Sequence, residues 1–366
     1  MNNESMPPMP APRGRGTGVN PRNRFERLHL EPWPEDGELE RPGSVSTVYF
    51  RDDSRSILSR NDADDLSFDF GVNPYRGCEH GCAYCYARPY HEYLGFSAGL
   101  DFETRIMVKE NAAGLLRREL TAPGYRVSRL AMSGVTDCYQ PVERRLGLTR
   151  ACLGVLAEMR HPVVLITKNH LVTRDLDHLK ELARFGACAV YLSITTLDRG
   201  LAATLEPRAS APEHRLEAIR QLAAAGVPAG VACAPLIPGL TDHELPALLQ
   251  AAAAAGAQFA TYSMVRLPGA VGEVFEDWLR RHFPQRRDKV MERIRSLHAG
   301  RLNDSRPRIR LRGEGPWAEQ AAQWYRLGCR RHGLSTTPPE VSGAAFRKVT
   351  AEQPELDLGL DPGPGD

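Results

Sequence analysis

Between residues 66 and 267, short apolar runs alternate with stretches of helical spacing, and this alternation constrains the fold more than any other feature. Leu66, Phe68, Phe70 and Val72 alternate with polar residues or Gly, the period-two signal of a strand. Further strands are expected at 128–135, 162–168, 188–196, 227–236 and 258–267. Helical stretches fall between them at 111–120, 147–160, 174–185 and 242–255, with another built on Leu216, Ile219 and Leu222 and closed by Gly226. Strands separated by helices form parallel sheets from βαβ units. Six units predict an α/β fold, either a partial (β/α)6 barrel of parallel strands or a doubly wound sheet. In both, the ligand site lies at the carboxyl ends of the strands.

Four regions are expected along the chain. Residues 1–44 form an N-terminal arm that is basic at Arg13, Arg15, Arg22, Arg24 and Arg27 and acidic from Glu31 to Glu40. Its first 24 residues hold no Leu, Ile, Phe or Trp, and such a composition is expected to stay disordered. Residues 45–270 carry the α/β core, and 271–340 a mostly helical basic extension. Residues 341–366 form an acidic tail with Glu352, Glu355, Asp357, Asp361 and Asp366, also expected to be disordered. The apolar runs fall far short of the roughly 18 residues that span a bilayer, and the N-terminus lacks the pattern of a secretory signal. A cytoplasmic protein without membrane contact is expected.

Eight cysteines are present, and three of them lie within the octapeptide Cys78-Glu-His-Gly-Cys82-Ala-Tyr-Cys85, directly after the first strand. This is not the spread framework of a small secreted disulfide protein. Three thiolates on one short loop suit a soft metal centre. One reading is zinc with His80 as fourth ligand, although no later ligand pair closes the site. A second is an electron-transfer [4Fe–4S] cluster, which ordinarily takes four cysteines. A third is a [4Fe–4S] cluster with three protein ligands and one open iron.

The C-x3-C-x2-C spacing, with Tyr84 before the last cysteine, resembles the signature of the radical S-adenosylmethionine (radical SAM) enzymes. NPYRGCEHGCAYCYARPYH, GLDFETRIMVK (99–109), SGVTDCYQPVE (133–143), SITTLD (193–198), LEPRAS (205–210) and APLIPGLTD (234–242) resemble the spore-photoproduct-lyase-like branch, often called DNA repair photolyases. Together they span about 65–270. RGRGTGVNPRNRFE in the arm and RGEGPWAE (312–319) resemble a bacterial subgroup of it. The resemblance implies that Cys78, Cys82 and Cys85 hold the cluster and that the open iron chelates S-adenosylmethionine. One electron then yields a 5′-deoxyadenosyl radical. It further implies that Ser133, Gly134, Thr136 and Asp137, after the second strand, hold the cofactor's ammonium group. The family motif is Gly-Gly-Glu-like, whereas only one Gly is present here, and a turn or N-cap Asp is the alternative for Asp137. Ser193 and Thr195 fall at the polar end of the fourth strand, Arg208 is a candidate for the methionine carboxylate, and Ile237 falls where the adenine packs. Cys138 is a candidate hydrogen donor, with a small buried cysteine as the alternative. A flavodoxin or ferredoxin is the expected electron donor.

Of the 47 basic residues only five are Lys, leaving 42 Arg. Residues 280–331 hold 14 of those Arg plus Lys289, against five acids, a local balance of +10 in a chain of net charge +2. Trp317, Trp324 and Tyr325 are interleaved. Such a surface fits phosphate contacts with base stacking, although Arg-rich composition on solvated helices gives the same pattern. The expectation is a radical enzyme acting on a nucleic-acid base. The alternatives are a radical enzyme acting on a protein or small molecule, and a non-enzymatic iron–sulfur or zinc protein.

Overall fold

The computed structural model describes residues 11–26 and 45–349. In chain order the strands are β1 (Val48–Arg51), β2 (Leu58–Arg60), β3 (Phe70–Val72), β4 (Tyr75–Arg76), β5 (Arg105–Val108), β6 (Leu130–Met132), β7 (Val163–Thr167), β8 (Cys188–Ser193), β9 (Ala229–Leu236) and β10 (Phe259–Met264). Seven of them form one sheet in the order β10-β9-β8-β7-β6-β3-β2. From β3 to β10 neighbours are parallel and follow chain order, and β2 closes one edge antiparallel to β3. The six parallel strands are those expected from the sequence, and their order is that of a partial (β/α)6 barrel.

Packing on both faces explains why these strands read as nearly continuous apolar runs. Every residue of β8 is buried. The helices Leu148–Met159, Leu176–Arg184, Pro212–Ala224 and Leu245–Ala254 return the chain between strands. The first of these buries Cys152, Leu153, Leu156 and Met159, a helical stripe turned to the sheet.

The crossover from β3 to β6 carries the three-cysteine loop, and a small sheet of order β1-β5-β4 is built onto it. Its strands are too short to leave a period in the sequence. The helical extension packs back on the same loop. Phe275, Trp278 and Ile294 share one apolar cluster with Cys82, Tyr84, Leu205 and Ile237.

Two terminal segments differ from the expectation of disorder. Over 11–26 the arm lies against the cysteine loop, with Arg15, Thr17 and Asn23 buried. Hydrogen bonding, rather than apolar area, ties it down. Arg15 Nη1 donates to the Glu103 carbonyl at 2.9 Å, Gly16 N to Glu103 Oε2 at 2.9 Å, and Asn23 Nδ2 to the carbonyls of Glu92 and Phe96 at 2.9 and 3.0 Å. At the other end Val341 is buried, Phe346 and Val349 pack on the main core, and Arg347 N donates to the Met159 carbonyl at 3.0 Å. The acidic stretch Glu31–Glu40 and the acids beyond residue 350 lie outside the described residues. Among the described residues no helix is long and apolar enough to cross a membrane.

Candidate active site

The loop Cys78–Cys85 is fixed from every side through its backbone. Cys78 N donates to the Phe102 carbonyl at 2.8 Å, Glu79 N to Gln140 Oε1 at 2.9 Å, and Ala83 N to the Leu205 carbonyl at 3.1 Å. The carbonyl of Cys82 accepts from Arg88 Nε at 3.0 Å and Nη2 at 2.9 Å. Arg88 is itself fully buried and paired with Glu103. A loop anchored in this way holds its side chains in place before any ligand arrives.

Cys78 and Cys82 are buried and Cys85 is half-buried. Burial pushes the Cys82 thiol well above its ordinary range, with Glu206, Cys85 and Cys78 adding to the rise, and pushes that of Cys85 up to about 11, with Cys78 adding to it. Cys82 and Cys85 therefore lose their protons readily only to a bound cation. This donor set fits an iron–sulfur cluster. His80 does not complete a zinc site. Its Nδ1 lies 3.4 Å from Asp137 Oδ2 and its Nε2 lies 3.3 Å from Asn169 Nδ2. Among the described residues no three His, Cys, Asp or Glu side chains converge on a single-ion position.

Beside the loop, the ends of β7, β8 and β9 converge in a buried polar cradle. Tyr84 Oη donates to Glu206 and lies 3.0 Å from Thr195 Oγ1. Thr195 Oγ1 is 2.7 Å from Glu206 Oε1 and 3.0 Å from the Ala234 carbonyl. Lys168 Nζ reaches Ser193 Oγ, the Ala234 carbonyl at 3.2 Å and Glu206 Oε1 at 3.5 Å. Arg215 pairs with Glu206 Oε2 and donates to the Ser193 carbonyl at 2.9 Å. Burial opposes the Glu206 charge, but Arg215 and Lys168 outweigh it and hold the carboxyl down to about 2. Ile237 packs with Cys82 and Tyr84 in the adjoining apolar cluster. Tyr84, Ser193, Thr195 and Ile237 are thus brought together.

Ser133 and Gly134 follow β6 with φ of 80° and 126°. Ser133 adopts the left-handed region with its side chain in place. Its Oγ accepts from Cys138 N at 3.0 Å, a local bond of the kind that helps short polar residues occupy this region. The Gly134 carbonyl accepts from Tyr86 Oη. Thr136 is buried and donates to the Tyr75 carbonyl at 3.2 Å.

Three expected residues are engaged elsewhere. Asp137 accepts from Tyr139 N at 2.9 Å, Thr167 Oγ1 at 2.7 Å and Lys168 N at 2.7 Å, so both its oxygens already bind protein donors and tie the β6 loop to the end of β7. Arg208 faces away from the cradle, with its Nη1 3.0 Å from Glu79 Oε1. The side chain of Cys138 has no exposed surface and belongs to the main core.

Lys168, Glu206 and Arg215 complete the cradle, and sequence reasoning did not assign them to it. Lys168 had a signal: it is one of only five lysines and ends the run VVLIT. In the basic extension the rings expected to stack bases are occupied within the fold. Arg293 covers Trp317 at 3.8 Å, Trp324 packs on the core, and Tyr325 is buried with its hydroxyl donating to the Ala260 carbonyl at 2.8 Å. Arg306 pairs with Asp304 and Glu314, and Arg310 with Asp65.

A parallel partial barrel with three loop thiols beside a polar cradle, all at the carboxyl ends of the strands, is the architecture of an enzyme built around an iron–sulfur centre and a small polar cofactor. The Radical SAM superfamily model matches residues 72–252. Uncharacterized proteins of Mycobacterium tuberculosis and Mycobacterium bovis are 39% identical over 235 residues, covering 64% of this chain and 68% of each relative. An uncharacterized protein of Methanocaldococcus jannaschii is 31% identical over 173 residues, 47% of this chain and 62% of its own length. Solved structures of spore photoproduct lyase, one with bound AdoMet and dinucleoside spore photoproduct, share the fold at a TM-score of 0.57. Their sequence identity is 18%, over 84% of this chain and 87% of theirs. The chain belongs to the radical SAM superfamily. It is a radical SAM enzyme, and its cofactors are a [4Fe–4S] cluster and S-adenosylmethionine.

Proposed function

We propose that Cys78, Cys82 and Cys85 hold the cluster, that the cradle binds S-adenosylmethionine, and that the enzyme acts on a nucleic-acid base in the manner of the spore-photoproduct-lyase-like branch. When bound, the reduced cluster supplies the electron that cleaves the sulfonium to methionine and a 5′-deoxyadenosyl radical. The chain's own residues bind and orient. Lys168 and Ser193 offer a cation and a hydroxyl to the methionine carboxylate or the ribose. Glu206 stays ionised and keeps Tyr84 and Thr195 in place. Ile237 supplies an apolar wall for the adenine, and the Ser133–Gly134 backbone offers carbonyls to the ammonium.

The observation that carries the substrate class is a row of exposed rings directly after Cys85. Tyr86, Tyr90 and Tyr93 are 39%, 53% and 67% exposed, and Phe25 of the arm joins Tyr93 at 4.9 Å between ring centroids. Arg266 lies over Tyr86 at 4.5 Å and Arg24 over Phe25 at 4.8 Å. Exposed aromatics interleaved with Arg form a platform on which unstacked bases pack with little sequence preference, each stacked ring being worth about 1–3 kcal/mol. The fold shared with a lyase solved with a dinucleoside photoproduct supports the same class.

The test compares 5′-deoxyadenosine release by anaerobically reconstituted enzyme with no substrate, with undamaged single-stranded DNA, and with ultraviolet-irradiated DNA. Release is expected to rise with irradiated DNA, and Tyr90→Ala with Tyr93→Ala is expected to weaken oligonucleotide binding by about thirtyfold or more. Release indifferent to every DNA and RNA would move the substrate to a protein or small molecule.

A further inference from the structure

We infer that the cluster is reduced from the outer side of its loop, by an acidic low-potential one-electron carrier that docks on Arg13, Tyr49, Arg145 and Arg208. This inference rests on the three-cysteine cluster proposed above.

The mouth of the barrel is where the cofactor and substrate must sit, so a carrier protein needs another approach. On the opposite side of the loop a recess of about 380 Å³ opens between the N-terminal arm and β1. Arg13, Arg15, Tyr49, Glu79 and Arg208 line it. Its floor is Glu79, the residue next to Cys78, and only side chains separate that floor from solvent. Tyr49 is 37% exposed, and its hydroxyl donates to Glu79 Oε1 at 3.1 Å. Tyr49 is thus bonded, at the mouth of the recess, to the residue next to the first cluster cysteine.

The charge of this recess is one-sided. Among the described residues Glu79 is the one carboxylate lining the recess. It is buried and already satisfied by Arg208 at 3.0 Å, Thr47 at 3.0 Å and the amide of Val142 at 2.8 Å. Behind it Arg15 and Arg88 both reach Glu103. Arg145 adds a further cation above the Tyr49 ring, at 5.0 Å from its centroid, and Arg13 is exposed at the rim. Among the described residues Arg13, Arg15, Arg145 and Arg208 thus stand around the recess against the one carboxylate of Glu79, a surplus of three positive charges beside a centre that gains negative charge on reduction. Such a surface attracts an acidic partner and steers its encounter. The step moves one electron: the carrier is oxidised by one, the cluster is reduced by one, and no proton or bond is exchanged.

The test uses the full chain and a bacterial flavodoxin as probe. Arg13→Glu with Arg145→Glu reverses two exposed charges and leaves Arg15 and Arg208, which brace the loop, untouched. Two quantities are measured at low and high salt. One is the affinity for flavodoxin, read by fluorescence titration of apo and reconstituted protein. The other is the rate of cluster bleaching by reduced flavodoxin and, separately, by dithionite. The expected result is at least a tenfold loss of flavodoxin affinity and of flavodoxin-driven bleaching at low salt, a flattened salt dependence, and unchanged bleaching by dithionite. Equal flavodoxin affinity in both proteins, or slowing by dithionite to the same extent, would overturn the docking site. Failure of the cluster assignment itself would appear differently, as reconstituted wild-type protein without cluster absorbance, and the affinity comparison on apo protein still decides the docking surface.

Discussion

Two single residues carry most of what distinguishes this site from a generic barrel mouth. Glu206 is buried, ionised and shared by Tyr84, Thr195, Lys168 and Arg215. Replacing it by Gln leaves a buried guanidinium and ammonium without their counter-charge, which costs about 3–5 kcal/mol, and denaturant unfolding of Glu206→Gln measures this. The pH dependence has a definite sign. A carboxyl held down to about 2, against an ordinary 4.5, contributes stability above its ordinary value. That contribution is lost as pH falls from about 4.5 toward 2. Wild-type protein is therefore expected to lose stability over that window more steeply than Glu206→Gln, and parallel slopes would contradict the buried pair. Ser133 is the second residue. With φ of 80° and a side-chain bond to Cys138 N, it gains backbone ease but loses that bond when changed to Gly. Ser133→Gly is expected to stay within about 1 kcal/mol of wild type, while Ser133→Val, β-branched in the left-handed region, is expected to lose about 1–3 kcal/mol. Thermal unfolding of the pair decides between a backbone and a side-chain role.

Among elements, the arm changes meaning between sequence and structure. Its composition reads as unfoldable because it lacks apolar side chains, and compositional reasoning has no account of a segment held by hydrogen bonds to buried carbonyls and to Glu103. Gly16 marks the closest approach: a Cβ there falls 1.8 Å from the Gly81 carbonyl oxygen, inside the cysteine loop. Gly16→Ala is expected to lift the arm, expose Arg13–Glu26 to limited proteolysis and lower cluster retention several-fold. Deletion of residues 1–24 is expected to do the same, and an unchanged iron content in both would leave the arm without a role at the loop. The small sheet of β1, β4 and β5 escaped sequence reading for a different reason, since two to four residues leave no measurable period. The basic extension holds the helices Val271–His282, Arg287–Leu297 and Pro316–His332, and its rings expected to stack bases pack on the main core. Trp317, Trp324 and Tyr325 have helical spacing that serves packing as well as stacking, and only the structure shows them turned inward.

At the scale of the whole molecule, the parallel order β3-β6-β7-β8-β9-β10 was legible because each buried strand is an apolar run punctuated by turn residues, and the three-cysteine loop because ligand spacing is local. The cradle was less legible. Lys168, Thr195, Glu206 and Arg215 meet only after the crossover from β7 to β8 and the helices that follow β8 bring them to one end of the sheet, and no spacing along the chain reports such a meeting. Arg208, two residues from Glu206, points to the opposite side of the loop, a choice made by its pairing with Glu79. The account stands or falls on what Cys78, Cys82 and Cys85 hold. The most direct measurement is anaerobic iron and sulfide analysis coupled to 5′-deoxyadenosine release with dithionite, in wild type and in Cys78→Ala, Cys82→Ala, Cys85→Ala, Cys138→Ala and Cys233→Ala. The expected result is one cluster and cofactor cleavage in wild type, Cys138→Ala and Cys233→Ala, with loss of both in each of the three loop variants. Stoichiometric zinc in anaerobic wild-type protein, or a cluster that survives Cys82→Ala and disappears in Cys138→Ala, would contradict it.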